Sequence, residues 1–174
     1  MTTTEELTQR VYEAPADDGP RLVLADHLQQ LGDPRGEFIA LQFDTSARAR
    51  KRADKLLERH RAQFLAPFGD AVVAGTDEWE RGFLVACTAR LDGRLAACPA
   101  WATVRRLAVA LTSGRPTELA GRWMTSLTEV TVAQPAWYSP DMSALWHHTH
   151  ALTEDVLRSV GREALLKPPA LPVL

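Results

Sequence analysis

The chain has few cysteines and no long hydrophobic run. Its 174 residues include two cysteines, Cys87 and Cys98, too few for a disulfide framework or a four-thiolate zinc site. We therefore expect reduced thiols and a cytoplasmic location, although pairing of the two cysteines is disfavoured rather than excluded. No apolar run approaches the roughly 18 residues that a membrane helix needs, and the first residues do not resemble a signal peptide. No membrane partner is expected.

The sequence also lacks the short motifs of common active sites. It contains no GxGxxG, P-loop, GxSxG, HExxH or CxxC pattern. These motifs supply phosphate-binding backbone amides, activated nucleophiles or metal ligands. Their absence predicts no catalytic residues, no cofactor, no metal site and a protein that is not an enzyme.

What is present is an ordinary globular composition with one basic cluster. Hydrophobic residues make up 45% and charged residues 24% of the chain. The net charge is -2, so no overall positive electrostatic field favours the binding of nucleic acid. Residues 48–61 hold seven basic side chains against Asp54 and Glu58. We interpret this segment as a solvated helix face, with nucleic-acid binding as the less favoured alternative.

The first 70 residues are predicted to be helical and to contain one tight corner. Apolar residues after Pro20 recur at helical spacing, and Gly32 suits the left-handed position that ends a helix. Asp33 can accept hydrogen bonds from the free amides of a new helix, while Pro34 fits its first turn. Helix, turn and helix should therefore meet at Gly32, Asp33 and Pro34.

After Gly75, three similar hexapeptides replace the helical periodicity. Segments 81–86, 105–110 and 128–133 align at offsets of 24 and 23 residues, and the last two extend backwards to an L-x-x-L-x-x-L-x-L pattern in apolar class. This period is typical of leucine-rich-repeat solenoids, in which each repeat adds one short strand to a curved parallel sheet. Strands are expected near 82–88, 105–111 and 128–133, with a weaker fourth near 162–166.

The predicted fold is therefore α/β, with a helical cap over residues 1–70 packed on a solenoid over residues 76–174. The solenoid is short and degenerate, because Thr88, Thr112 and Pro135 stand where the consensus has a buried asparagine.

Alternation along the strands predicts which side chains face a partner. The buried side is expected to carry Phe83, Val85, Leu107, Val109, Val130 and Val132. The concave side is expected to carry three lateral rows, namely Gly82, Arg106 and Glu129, then Leu84, Ala108 and Thr131, then Ala86, Ala110 and Ala133. We predict partner binding through Leu84, Arg106, Ala108, Ala110, Glu129 and Thr131, with Arg106 beside Glu129. The alternative is that residues 165–174 or the N-terminal helices cover this face.

Two segments of the helical half resemble a known family. Arg21-Leu-Val-Leu-Ala-Asp-His-Leu28 and Gly32-Asp-Pro-Arg-Gly-Glu-Phe-Ile39 resemble the motif of the bacterial repeat-companion domain, over about residues 4–43. Trp79-Glu-Arg-Gly-Phe83 is similar to the element that often opens the repeats in that family, and His27 stands where the family usually has Trp. The resemblance implies an interaction scaffold and marks Asp26, Arg35 and Glu37 as its charged hallmark residues. We expect Arg35 to pair with one or both carboxylates and to fix the helix corner, together with Asp33 and Pro34.

The favoured function is a noncatalytic protein–protein interaction module, whose partner contacts the concave sheet or the helical cap. A metal-dependent or acid/base enzyme is the alternative, using His147, His148 and His150 with Asp141 or Glu154 as a further ligand. An exposed polar stretch is the simpler interpretation of these histidines.

Overall fold

The computed structural model describes residues 2–90, 98–110 and 124–133. Within these ranges four α-helices precede a four-stranded mixed open sheet, which confirms the α/β class. The helices are α1 (Thr3–Glu13), α2 (Gly19–Gln30), α3 (Pro34–Phe43) and α4 (Ala47–Leu65). The strands are β1 (Glu78–Glu80), β2 (Phe83–Arg90), β3 (Arg106–Ala110) and β4 (Glu129–Ala133). The strand predicted near 162–166 lies outside the described residues.

Polar side chains begin three of the four helices. Thr2 and Glu5 form a reciprocal capping box at α1, with the Thr2 amide donating to Glu5 Oε2 at 2.8 Å. Asp33 Oδ1 accepts from the Arg35 amide at 2.8 Å, and Ser46 Oγ accepts from the Ala49 amide at 3.1 Å. These bonds satisfy amides that have no partner inside the helix.

The corner between α2 and α3 has the expected components. Gly32 has a positive φ of 72°, Asp33 is the N-cap and Pro34 is the first residue of α3. The helices cross so closely that a Cβ on Gly36 would lie 2.7 Å from the Ala25 carbonyl oxygen and 2.6 Å from the Gln29 nitrogen. Glycine is required at position 36 because there is no space for a Cβ. The backbone conformation does not require it, since its φ is not in the left-handed region.

The strands follow one another in the sheet in chain order. β1 is antiparallel to β2, whereas β2, β3 and β4 are parallel neighbours. Arg106 pairs with Glu129, which is the 23-residue offset expected from the sequence. Between β2 and β3, however, Ala86 pairs with Arg106, so this offset is 20 residues and the predicted 24 is wrong.

A two-residue turn joins β1 to β2 and attaches the sheet to α3. Arg81 and Gly82 have φ values of 52° and 80°, positive at both positions as in a type I′ hairpin turn. The Gly82 amide donates to Gln42 Oε1 at 2.6 Å. A Cβ on Gly82 would overlap the Ile39 side chain, so the turn can contact α3 only because this residue is glycine.

Helices and strands share one hydrophobic core. The main cluster combines Val11, Leu24 and Ile39 from the helices with Phe83, Trp101, Leu107 and Val130 from the region of the strands. A smaller cluster forms where α3, α4 and β1 meet, with Phe38 and Phe64 stacked at 5.2 Å and Trp79 packed beside them. The core thus crosses the boundary between the two predicted regions.

Candidate functional site

A groove lies on the sheet face opposite the main core. It has a volume of about 320 Å³, and its floor includes Ala86, Thr88, Ala108 and Thr131. Ala108 and Thr131 are half-buried, whereas Leu107 and Val130, the residues next to them on the strands, are 1% exposed. Alternation therefore separates a core face from an accessible face on β3 and β4.

The lateral rows of this face differ from the predicted rows on the β2 side. The observed rows are Ala86, Arg106 and Glu129, then Thr88, Ala108 and Thr131, and the backbone register continues through Arg90, Ala110 and Ala133. The shift is four residues along β2. Because four is an even number, each residue between Ala86 and Arg90 keeps the face expected from alternation.

Leu84 is a correction to the predicted partner-binding set. It is 1% exposed and belongs to the main core cluster. The cause is a bulge, since Glu78 pairs with Ala86 while the next residue, Trp79, pairs with Leu84. Val85 is therefore the extra residue on β2, and the alternation of faces is interrupted at that point.

Two charged residues of β1 and β3 border the groove. Arg106 forms an ion pair with Glu78, and in the sheet Ala86 lies between the two strands that carry them. The small Ala86 side chain leaves room for this pair to cross above β2. Arg106 and Glu129 are register neighbours, as expected.

The hallmark charged residues form a different arrangement from the predicted corner ion pair. Arg35 stacks its guanidinium 4.8 Å from the ring centroid of Phe83 and donates weakly to the Gly82 carbonyl at 3.4 Å. Glu37 pairs with Arg52 of α4, and Asp26 is exposed. The predicted pairing of Arg35 with Asp26 or Glu37 is wrong, because Arg35 extends towards the β1–β2 turn and Asp26 lies on the exposed side of α2.

Arg21 contacts the other side of the same aromatic ring. Its guanidinium lies 5.4 Å from the Phe83 centroid and donates to the carbonyls of Pro15 at 2.5 Å and Asp17 at 2.8 Å. Burial lowers the pKa of Arg21, and neighbouring Asp18 opposes that change. Tyr12 packs edge-on against Phe83 at 6.2 Å. The two arginines hold a strand residue against the helices, which is a structural role.

Sequence reasoning missed a buried carboxylate that links α4 to β1. The Asp77 side chain is fully buried, accepts from Trp79 Nε1 at 2.6 Å and pairs with Arg61 at 3.2 Å. An acidic residue two positions before a tryptophan is too weak a pattern to predict this contact.

Neither cysteine has the surroundings of a nucleophile. Both are free thiols, and Cys87 is buried. Burial raises the pKa of Cys87 to about 12, so its thiol stays protonated at neutral pH. Burial also raises the pKa of Cys98, whose Sγ donates to the Pro67 carbonyl at 3.0 Å.

The histidine cluster cannot be placed. His147, His148 and His150, with Asp141 and Glu154, lie outside the described residues. Within the described ranges, no group of three or more His, Cys, Asp or Glu side chains is arranged to hold a metal ion.

The basic cluster forms one exposed face of α4. Ala49, Ala53 and Phe64 point into the protein, whereas the opposite side of the helix carries exposed cations. These are Arg48, Lys51, Arg52, Lys55 and Arg59, which recur at helical spacing. Arg52 pairs with Glu37, and the other four form no ion pair with a described residue.

Comparison of the chain with family models, with curated proteins and with solved structures found no match. Among the described helices, none is long and apolar enough to cross a membrane.

Proposed function

We propose that the chain is a noncatalytic interaction module that receives another protein on the accessible face of its sheet. The observation that carries the proposal is the groove over Ala86, Thr88, Ala108 and Thr131. Small side chains let a partner helix or loop approach the sheet backbone closely and exclude water. Arg106 and Glu129 at one side of the groove provide charges of both signs, which would fix the orientation of the partner.

The proposal includes a short, degenerate leucine-rich-repeat-like solenoid. Its support is the parallel order of β2, β3 and β4 and the 23-residue offset between the last two. The resemblance to the repeat-companion family supports the same view. Trp79, Gly82 and Phe83, which belong to the element that opens the repeats, contact α2 and α3, the helices that contain the two family segments. Two free thiols favour a cytoplasmic location.

Substitution in the groove tests this function. The protein and its variants serve as bait in extracts of the native host, with bound proteins identified by mass spectrometry. Ala108→Arg inserts a long side chain into the floor, and Arg106→Glu reverses one charge and removes the pair with Glu78. We expect both variants to lose a partner that the unchanged chain retains, with equal circular dichroism.

Ala62→Arg is the matched control, because Ala62 is exposed on α4 and does not line the groove. It should retain the partner. Normal binding by both groove variants would exclude the accessible sheet face as the partner site.

The exposed face of α4 supports a second candidate, nucleic-acid binding. Four cations without an ion pair to a described residue lie along one side of the helix. Binding through them would release counterions, so affinity for duplex DNA should fall steeply as salt rises. Undetectable binding at low salt, or binding independent of salt, would exclude this candidate.

A further inference from the structure

A second cavity, lined by none of the groove residues, lies where three loops meet. It has a volume of about 430 Å³ and is bordered by the α1–α2 loop, the β1–β2 turn and the residues that enter β3 and β4. Its size falls within the range of small-molecule sites, about 300–1,000 Å³. We call it the arginine pocket, because Arg21, Arg81 and Arg105 all line it.

The charges around the arginine pocket favour an anion. Three guanidiniums share two carboxylates. Asp18 lies 2.6 Å from Arg81 and 3.9 Å from Arg21, and Glu80 pairs with Arg105 and lies 3.8 Å from Arg81. Burial is the main cause of the lowered pKa of Arg21. The charges of Arg81 and Arg105 lower this pKa further, whereas those of Asp18 and Glu80 raise it. The mutual repulsion of the guanidiniums would be relieved by a negative ligand.

Hydrogen-bond donors remain available in the pocket. Arg21 is 5% exposed and donates to two backbone carbonyls, so it contributes charge rather than a free donor. A guanidinium has five N–H donors, and the ion pairs of Arg81 and Arg105 occupy only part of theirs. Thr125 and Ser126, whose hydroxyls form no hydrogen bond with a described residue, are also among the lining residues. Converging N–H and O–H donors are the groups that bind carboxylate and phosphate oxygens.

Part of the wall is apolar. Pro15, Val85 and Leu127 line the pocket beside the arginines. A bare inorganic ion would leave most of this volume and all of this surface unused.

We propose that the arginine pocket binds a small organic oxyanion, a carboxylate or a phosphate monoester with a compact apolar body. The guanidiniums of Arg81 and Arg105 contact the oxyanion, the positive charge of Arg21 adds to the attraction, and the body of the ligand packs on Val85 and Leu127. This site is independent of the partner surface proposed above.

Titration calorimetry at constant ionic strength tests the proposal with four probes. These are benzoate, phenyl phosphate, inorganic phosphate and the neutral benzyl alcohol. We expect saturable binding of one molecule of benzoate, of phenyl phosphate or of both, and the response separates a carboxylate site from a phosphate site. Inorganic phosphate should bind more weakly than phenyl phosphate, and benzyl alcohol should not bind.

Substitutions then assign binding to the pocket. Arg81 and Arg105 have side chains 41% and 48% exposed, so Arg81→Gln and Arg105→Gln should fold normally. Each should weaken binding about tenfold or more, the usual effect of removing a charged hydrogen-bond donor. Glu80→Gln removes a competing carboxylate and should tighten binding, a gain that misfolding could not produce. Arg59→Gln, on the far side of α4, is the matched control and should bind as the unchanged chain does.

Three results would overturn the proposal. The first is no saturable binding of either organic anion up to about 10 mM, beyond which affinity is too weak to indicate a built site. The second, where phenyl phosphate binds, is equally tight binding of inorganic phosphate. The third is an equal loss of affinity in Arg59→Gln and Arg105→Gln.

Discussion

Phe83 connects the helices to the sheet through contacts on several sides of one ring. Arg21 and Arg35 stack at 5.4 and 4.8 Å from its centroid, and Tyr12 meets its edge. Cation–π contacts strengthen when they are removed from water, and Phe83 is 1% exposed. The preceding residue, Gly82, allows this placement because it brings the strand against Ile39.

Gly82→Ala tests that close approach. The substitution places an L side chain at a φ of 80° and inside the volume of Ile39. We expect the free energy of unfolding to fall by about 2–4 kcal/mol, from backbone strain and overpacking together. Urea denaturation measures the change. Gly32→Ala is the control, since Gly32 has a φ of 72° with open space around it and should cost only about 1 kcal/mol. Equal losses would show that contact with Ile39 contributes nothing.

Because the Cys87 thiol is buried, the free energy of unfolding is expected to fall as the pH becomes alkaline. Its pKa is about 12 in the folded protein, against 9.0 for a cysteine thiol exposed to water. Only the unfolded chain ionises between these values, so the contribution is intact below pH 9.0 and is lost as pH rises towards about 12. The decline should approach about 1.4 kcal/mol per pH unit. We expect Cys87→Ala to flatten the curve of unfolding free energy against pH relative to the unchanged chain. If the two proteins gave parallel curves, ionisation of Cys87 would not be the cause of the decline.

At the scale of elements, the α2–α3 pair depends on one glycine. Gly36 lies in the first turn of α3, where a Cβ would come within 3 Å of three backbone atoms of α2. Backbone atoms of a packed helix cannot rotate away as a flexible side chain can. The two helices could accept a larger residue only by moving apart.

Gly36→Ala separates packing from helix propensity. Alanine favours a helix over glycine by about 1 kcal/mol, so propensity alone predicts stabilisation. We expect a net loss of about 1–3 kcal/mol by urea denaturation instead, because the helices must separate. Gly19→Ala is the control, since its nearest atoms belong to the exposed Asp17 side chain. A Gly36→Ala variant as stable as the Gly19→Ala variant would refute the close crossing.

The elements also show how far sequence reasoning extended. The corner at Gly32, Asp33 and Pro34 was predictable because local chemistry determines it, and the β3–β4 register followed from two similar segments. The β2–β3 register could not be predicted from the sequence, because β2 runs to Arg90 and contains a bulge opposite β1. The side-chain contacts of Arg35 were also missed, since a guanidinium can satisfy a carboxylate, a carbonyl or an aromatic ring, and sequence spacing does not distinguish them.

At the scale of the molecule, the described helices and strands are expected to unfold together. Their main hydrophobic cluster joins Leu24 of α2 and Ile39 of α3 to Leu107 of β3 and Val130 of β4. A helical unit that separated from the sheet would expose the apolar residues of α2 and α3 that now belong to this cluster. Burial of that apolar surface is worth about 25 cal/mol for each Å².

Leu107→Ala tests this cooperativity, because the change lies in β3 while its effect should reach α2. Leu107 is 1% exposed, so its truncation should cost about 2–5 kcal/mol. In native-state hydrogen exchange, the most protected amides of α2 and of β3 should lose the same free energy, as expected for one unfolding unit. Leu31→Ala is the control, since Leu31 is 63% exposed and its truncation should leave protection nearly unchanged. If β3 amides lost protection while α2 amides kept theirs, the helical cap would be a separate folding unit, and the shared core would not couple it to the sheet.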